Sequence, residues 1–366
     1  MKSAFGLLPL GLAGLCFLTG CSTVNRKPEV LAVMERVADW QIAHPGSWKA
    51  DEWHNGALYT GVMALAGISA SPRFHDAMRA VGEQQNWQLG PRRYHADDHC
   101  IGQMYAELYF KDGDARMIAP MRETFDYVLA HRKDHNLDFD EKKNPDRLDR
   151  WSWCDSLFMS PTVWIRLWKA TADRRYLDFA VEQWWVTSDF LYDREEHLYF
   201  RDSTLFERRE KNGRKIFWSR GNGWVMGGLV RMLQLLPAGH PARPRFEQQF
   251  REMAAKVITC QQADGLWRAS LLDPASYPMQ ESSGSGFYCY ALAWGVNAGL
   301  LPRETYGPIV LKTWSALTGF IQPDGKLTHV QPVGFTPVTF DENHTEPYGV
   351  GAVLLAGSEI YRLAAP

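Results

Sequence analysis

Carboxylates, an arginine and several tryptophans of this chain lie in short polar segments that each run into small and apolar residues. Four of these segments carry side chains able to do chemistry: residues 94–99, 150–155, 217–224 and 343–348. A carboxylic acid near a second carboxylate can act as general acid and then as base. An arginine can hold a substrate carboxylate with two hydrogen bonds, and indole rings can stack on sugars. The residue types therefore favour a site for an anionic sugar.

We predict Asp155 and Asp98 as the catalytic carboxylates. The predicted substrate-binding residues come from the same segments: Arg220, Trp218, Trp224, Trp151, His95, Asn222 and His344. Each has a structural alternative. Aspartate is a favoured N-cap at the start of a helix, so Asp98 and Asp155 could be caps. The arginine could pair with a loop carboxylate, the tryptophans could be core, and the histidines could be ordinary loop residues.

A sixfold repeat predicts how these segments are positioned. Polar segments beginning at residues 55, 98, 155, 221, 284 and 347 each enter a helix rich in small and apolar residues, in steps of 43, 57, 66, 63 and 63 residues. Such spacing suits a two-helix unit with unequal loops. Amphipathic helices are predicted between them, at residues 29–41, 72–85, 114–131, 174–191, 242–262 and 303–321. Their one-sided apolar stripes indicate an outer layer, and the small-residue helices indicate a buried inner layer.

This alternation predicts an all-α fold, the (α/α)6 toroid, as a single domain over residues 29–366. An open α-solenoid is the competing architecture, but solenoids tend to have even spacing and capped ends. Here the loops before the inner helices are long and irregular, which favours closure. In a closed ring these loops open at one face. The N-termini of the inner helices meet there, and their dipoles favour an anionic ligand.

The first residues predict export. Lys2, an apolar run over residues 5–18 and Cys21 are typical of a signal peptide that ends at a lipid-attachment cysteine. We expect residues 1–20 to be the signal, 21–28 a tether, and Cys21 the lipidated residue. The protein would lie in the periplasm or at the outer membrane, held to the membrane by its lipid anchor only. A buried first helix or a membrane span is the alternative, but the run is short for a span.

Charge and cysteine content exclude several classes of function. A net charge of -2 and a pI near 6.6 leave no basic stripe for nucleic acid. Cys100, Cys154, Cys260 and Cys289 form no CxxC pair, so we expect no metal and no cofactor. Cys260 and Cys289 could form a disulfide, or all four could be free, buried thiols; the sequence leaves both open.

Three blocks, residues 96–103, 153–159 and 217–224, resemble the unsaturated glucuronyl and rhamnogalacturonyl hydrolases of glycoside hydrolase families 88 and 105, the second more closely. The resemblance spans essentially the whole mature chain. It implies an (α/α)6 enzyme that removes a 4,5-unsaturated uronic acid from oligosaccharides left by a polysaccharide lyase, by hydrating the C4=C5 double bond. Asp155 takes the family's acid/base position and Asp98 the second carboxylate. We expect burial and Asp98 to raise the pKa of Asp155.

One loop departs from the pattern. Residues 199–203 stand where pectin-acting members of the family have a His-Gly-Trp segment. That loop helps to read the substrate, so the aglycone sugar and the galacturonic or glucuronic origin of the uronyl group stay open. Two other functions remain as alternatives: an inverting glycosidase that uses Asp98 and Asp155 on the same ring, and a surface protein that binds glycans without chemistry.

Overall fold

The computed structural model describes Met1 and residues 26–364. Its α-helices in this part of the chain are α1 Lys27–Ala43, α2 Trp53–Ala66, α3 Arg73–Gln84, α4 Ala96–His99, α5 Gly102–Asp112, α6 Ala119–Ala130, α7 Ser156–Met159, α8 Pro161–Thr171, α9 Arg174–Leu191, α10 Ser219–Leu233, α11 Arg243–Ile258, α12 Ser282–Asn297, α13 Arg303–Thr318 and α14 Pro347–Leu363. Two short strands, β1 Tyr192–Asp193 and β2 Leu198–Tyr199, form an antiparallel hairpin. Single 3-10 turns cover Ala115–Met117, Arg147–Asp149, Ser203–Leu205 and Pro274–Ser276.

The helices alternate between two concentric layers, as the repeat predicts. The inner layer holds α2, α4 with α5, α7 with α8, α10, α12 and α14, and each inner helix contacts the next around the ring. Helix α10 is buried along its whole length, as a helix surrounded by others must be. The outer helix α3 instead buries one stripe, at Phe74, His75, Met78 and Gly82. The predicted (α/α)6 toroid is confirmed.

Two glycines close the ring, where the last inner helix meets the first. Helices α14 and α2 pack backbone to backbone at Gly351 and Gly61. A Cβ atom on Gly61 would lie 2.5 Å from the carbonyl oxygen of Gly351 and 2.8 Å from the Cβ of Leu354. Both distances are shorter than those that Cβ atoms make with other heavy atoms in protein structures. Glycine at this crossing is therefore a condition for closure.

Two inner helices are broken near the mouth. α4 is followed by a gap before α5, and α7 by Ser160 before Pro161 starts α8. Proline has no N–H to continue the hydrogen-bond ladder, so it suits the first turn of a new helix. The side chain of His99 joins the two breaks: its Nδ1 lies 2.6 Å from Ser160 Oγ, and its Nε2 lies 2.8 Å from the carbonyl oxygen of Arg93.

The structure shows the state of the four cysteines, which the sequence left open. Cys100, Cys154, Cys260 and Cys289 are all free and buried, so no disulfide forms between Cys260 and Cys289. Among the described residues, no helix is long and apolar enough to cross a bilayer. The predicted signal and Cys21 lie outside the described residues.

Replacing Gly61 by alanine should destabilise the ring. The added methyl group meets the backbone of α14, and overpacking of this kind costs about 1–3 kcal/mol. Chemical denaturation followed by circular dichroism measures the free energy of unfolding. Gly239→Ala is the matched control, because a Cβ there meets nothing within 4 Å; its effect should stay within about 0.5 kcal/mol. Equal stability of the two variants would contradict the account of closure.

Candidate active site

Asp155 stands at the mouth of the ring, at the entry to helix α7. Its side chain makes no capping hydrogen bond to the helix, so the N-cap alternative for this residue is wrong. Instead, Oδ1 accepts a hydrogen bond from the thiol of Cys154 at 3.4 Å, and Oδ2 lies 3.6 Å from Nε of Arg201. The side chain is 12% exposed, which leaves an approach for a ligand.

The absence of a side chain at Gly221 makes room for this carboxyl. A Cβ there would lie 2.9 Å from the ring of Trp218 and 3.4 Å from Oδ1 of Asp155. Gly221 belongs to helix α10, so the start of one inner helix packs directly against the acid carried by another. This close packing keeps solvent from surrounding the carboxyl.

Burial raises the pKa of Asp155, as predicted. Removal from water disfavours the charged form, and this effect exceeds the opposing attraction of Arg201 and Arg220. Asp202 adds a smaller repulsion. The predicted contribution of Asp98 needs a correction, because the acidic residue that raises the pKa of Asp155 is Asp202, while burial and the charge of Asp155 itself raise the pKa of Asp97.

Asp98 and Asp97 have different roles, although they are adjacent in helix α4. Asp98 is 7% exposed and is paired with Arg92, whose backbone N–H donates to Oδ2 at 2.7 Å and whose guanidinium binds both carboxylate oxygens. It is neither a free carboxylate nor the N-cap of α4, which is His95. Asp97 is 21% exposed, and burial together with the charge of Asp155 raises the pKa of Asp97 to about 7.

The arginine closest to the acid is Arg201, which follows strand β2. Its Nη1 donates to Asp202 at 2.7 Å, its guanidinium lies 4.6 Å from the ring centre of Phe139, and its buried Nε has no hydrogen-bond partner. Arg201 is anchored through its backbone as well, since its carbonyl oxygen accepts from the N–H of Cys154 at 2.8 Å. The loop that departs from the family pattern thus supplies a cation beside the acid.

Arg220 is largely occupied within the protein. It is fully buried, and its terminal nitrogens donate to the carbonyl oxygens of Gln331 at 2.6 Å and Pro332 at 2.9 Å. Its guanidinium stacks 4.6 Å from the ring of Trp218. Both terminal nitrogens of Arg220 thus fasten a loop, whereas its buried Nε has no hydrogen-bond partner; direct binding of the substrate by Arg220 stays a prediction. Its positive charge opposes the rise in the pKa of Asp155.

Asn222 and Trp218 also serve the protein's own structure. The amide of Asn222 accepts from the N–H of Tyr199 at 2.7 Å and donates to the carbonyl of the same residue at 3.0 Å. It therefore fastens strand β2, two residues before Arg201, onto helix α10. Trp218 is buried and donates to Gln331 Oε1 at 3.0 Å. These contacts occupy the amide of Asn222 and the indole N–H of Trp218, and the binding roles predicted for both residues stay predictions.

Two of the other predicted binding residues, Trp151 and Trp224, lie in the core. The ring of Trp151 packs edge-on against Phe179 of the outer helix α9, which places it in the core between the layers. Trp224 is 1% exposed and packs on Phe158 and Phe287 inside the inner layer. Both rings thus pack within the protein, and their role in binding stays a prediction.

His95 and His344 remain close to the mouth. His95 accepts from the N–H of Asp97 at 3.3 Å and lies 5.1 Å from the ring of Trp153. Burial lowers the pKa of His95 to about 4, so the ring is neutral. His344 Nε2 lies 3.2 Å from Glu346 Oε1, and its side chain is 35% exposed.

Three residues that the sequence reasoning did not select belong to this site. Asp97 lies in the quoted block 96–103, and Arg201 lies in the loop noted only as a departure. Trp53 is half-buried, stacks on Tyr348 at 5.2 Å and meets Trp224 edge-on at 6.0 Å. Its position just before the first repeat segment could have identified it from the sequence. Among residues 26–364, no cluster of His, Cys, Asp or Glu side chains is arranged to hold a metal ion.

Comparison with known proteins decides the family. The model of Glycosyl Hydrolase Family 88 matches residues 27–364. The chain belongs to Glycosyl Hydrolase Family 88. It is a glycoside hydrolase, and the resemblance drawn from the three sequence blocks is confirmed.

Two curated relatives of this family 88 chain carry the same name, unsaturated 3S-rhamnoglycuronyl hydrolase. The one from Formosa agariphila is 38% identical over 92% of this chain and 91% of its own length. The one from an Alteromonas species is 35% identical over 89% of this chain and 84% of its own length. A solved structure that bears the name polysaccharide lyase is 32% identical, with a TM-score of 0.82, over 92% of this chain and 98% of its own.

Removing the Cys154 thiol should move the pH profile of the family 88 chain. The thiol hydrogen bond stabilises the Asp155 carboxylate and so lowers its pKa. Cys154→Ala removes this donor and leaves the charged groups around Asp155, which are Asp97, Arg201, Asp202 and Arg220, in place. The pKa of Asp155 then rises. The sequence predicts Asp155 as the general acid, which must be protonated to work, so the alkaline limb of kcat/KM should move to higher pH.

Two further variants separate this effect from a loss of packing. Cys154→Ser keeps a donor, so its alkaline limb should stay near that of the wild type or move to lower pH. Cys289→Ala removes a buried thiol from helix α12, where Sγ bonds the carbonyl of Val310 at 3.6 Å, and should leave the profile unchanged. An alkaline limb in Cys154→Ala that matches the wild type contradicts the assignment of this hydrogen bond.

Proposed function

We propose that this protein removes a 4,5-unsaturated uronic acid from the non-reducing end of lyase-generated oligosaccharides by hydrating the C4=C5 double bond. The observation that carries the proposal is the coupled carboxyl pair Asp155 and Asp97 with the cation Arg201 beside it. The names of the two curated relatives support a uronyl group linked to rhamnose as the substrate. The reaction needs no cofactor.

The carboxyl pair can hold a proton at neutral pH. Both groups have raised pKa values, and that of Asp97 is about 7. Because burial and the charge of Asp155 raise the pKa of Asp97 to about 7, the Asp97 carboxyl is partly protonated at neutral pH. A general acid is most useful when its pKa lies near the working pH, since it is then both protonated and able to release its proton.

Arg201 supplies the charge that an unsaturated uronate requires. Its guanidinium carries the unpartnered Nε, and the side chain is 13% exposed. Inner-helix N-termini at the same mouth add partial positive charge. An anionic sugar placed against Arg201 would have its ring within reach of Asp155, because Nε and Oδ2 are 3.6 Å apart.

Hydration then proceeds in two proton transfers. Asp155 donates its proton to C4, where the π electrons of the double bond form the new C–H bond. This leaves a cation at C5, which the ring oxygen stabilises. A water molecule adds to C5 and gives up a proton to the carboxylate. The resulting hemiketal opens by breaking the bond between C5 and the ring oxygen. This frees a hemiacetal at C1, which collapses and releases the aglycone as an alcohol.

A second candidate reaction follows from the related structure named as a polysaccharide lyase. Elimination would act on a saturated uronide, remove the proton at C5 and create the double bond. The ultraviolet absorbance of the unsaturated uronide separates the two reactions, because hydration lowers it and elimination raises it. A fall in absorbance with an unsaturated uronyl-rhamnose disaccharide supports our proposal. A rise with a saturated oligosaccharide supports the lyase, and cleavage of saturated substrate without absorbance change supports an inverting glycosidase.

Asp155→Asn should abolish the loss of absorbance, because the amide cannot donate the proton to C4. Removing a catalytic acid lowers turnover by roughly two to four orders of magnitude. The helical circular dichroism should stay unchanged, since the side chain makes no capping bond. Asp178→Asn on the outer helix α9, whose carboxylate is 60% exposed, is the matched control and should keep full activity. An active Asp155→Asn variant would show that the acid is elsewhere.

We also propose that Cys21 is lipidated and holds the enzyme at an envelope surface, where incoming oligosaccharide ends would meet it. The signal-like residues 1–20 support this proposal. Cys21→Ala in the full chain should move the protein from the detergent phase to the aqueous phase when expressing cells are extracted with a phase-separating detergent. An unchanged distribution would contradict lipidation at Cys21.

A further inference from the structure

An exposed aromatic ring stands over the active site on the loop between α13 and α14. Phe335 is 61% exposed, and Val333 and Val338 on the same loop are 44% and 40% exposed. Soluble proteins rarely cluster large apolar side chains at the surface unless something binds there. Phe335, which is the most exposed of the three and the one that borders Arg201, is therefore the candidate contact for substrate.

The ring of Phe335 borders the cation of the site. The guanidinium carbon of Arg201 lies 5.6 Å from the Phe335 ring centre and 4.6 Å from that of Phe139. Phe139 is half-buried and packs edge-on to Trp153, which places it on the protein side of Arg201. Phe335 is the exposed member of the pair. A group that extends outward from Arg201 would therefore pass this ring.

Hydrogen bonds hold the loop firmly at its base. Gln331 is fully buried, and its carbonyl oxygen accepts from Arg220 and from Tyr348, the latter at 2.6 Å. Its side chain accepts from Trp218 and donates to the carbonyl oxygen of Thr336 at 3.0 Å. This last bond fixes the backbone next to Phe335. The exposed ring is thus presented on a fastened loop, and a preorganised contact loses little entropy when a ligand binds.

We propose that Phe335 is a stacking platform for the sugar that follows the unsaturated uronyl group. The proposal rests on the proposed function, which places the uronyl carboxylate at Arg201. The next sugar in the chain then leaves the site along the solvent side of Arg201, where its apolar face meets the phenyl ring. Arg220 and Gln331 act as positioning residues for this platform, which accounts for the occupied fork of Arg220.

The test compares two substrates of the same uronic acid. One is the unsaturated uronyl-rhamnose disaccharide, and the other is the methyl glycoside, which has no second sugar. Phe335→Ala should lower kcat/KM for the disaccharide about three- to tenfold, the range expected from the strength of aromatic contacts. The methyl glycoside should be hydrated at an unchanged rate. Phe335→Tyr keeps a ring and should restore the disaccharide value.

Val338→Ala is the matched control, because it removes an exposed apolar side chain from the same loop without removing a ring, and both substrates should be unaffected. An equal loss for both substrates in Phe335→Ala, or no loss for either, overturns the platform. A loss in Val338→Ala as large as that in Phe335→Ala also overturns it, because the loop's general apolar character would then explain the effect.

Binding measurements keep this proposal distinct from the proposed function. Titration calorimetry of Asp155→Asn with the disaccharide, with and without Phe335→Ala, reports the contact without turnover. Weaker binding of the disaccharide in the double variant supports the platform, and equal binding overturns it. If the wild type hydrates neither substrate while binding still depends on Phe335, the proposed reaction fails and the platform stands.

Discussion

The close approach of the inner helices is the constraint on which the rest of the structure depends. Helices can pack at backbone distance only where side chains are absent, and Gly61 and Gly351 provide this where the ring closes. Gly221 does the same at the mouth, where it lets the start of helix α10 lie against Asp155. Glycines thus allow the ring to close at Gly61 and Gly351, and another glycine, Gly221, helps to exclude water from Asp155. Closure of the ring and burial of Asp155 both depend on glycines where inner helices approach closely.

Charge at the mouth is balanced around the buried carboxyl. Burial raises the pKa of Asp155, and Arg201 and Arg220 oppose that rise. Without these cations the pKa of Asp155 would be higher still, and a direct hydrogen bond to either of them would lower it. The 3.6 Å separation between Arg201 Nε and Asp155 Oδ2 is outside hydrogen-bond distance, so Arg201 opposes the rise in the pKa of Asp155 through its charge. Arg201 can therefore attract an anionic substrate without locking the acid in its ionised form.

Sequence patterns predict the architecture well because burial imposes them along the chain. Each inner helix must be small and apolar on all sides, and each outer helix on one side, so the sixfold alternation is visible without coordinates. Asp155 was also accessible to prediction, since it begins a repeat segment and lies in a block with a family resemblance. Both features are local in the sequence.

The partners of Asp155 could not be predicted in the same way. Asp97 and Asp98 are neighbours whose side chains leave the helix about 100° apart, and only the pairing of Arg92 with Asp98 decides which one stays available. Arg201 reaches the site from a hairpin loop more than forty residues beyond Asp155. Arg220, Trp218 and Asn222 lie in the most specific sequence block, yet they fasten the loops that carry Arg201 and Phe335. A sequence motif indicates which residues are required, but only the structure shows which groups they contact.

The central claim is that the carboxyl pair delivers a proton to C4 of an unsaturated uronide. Nuclear magnetic resonance of the earliest product formed in heavy water tests it most directly. The account predicts that the olefinic signals of C4 and C5 disappear as the aglycone is released, and that C4 gains one deuterium on a single face. Release of a sugar that still carries the intact C4=C5 double bond would show attack at the anomeric carbon and would contradict the account.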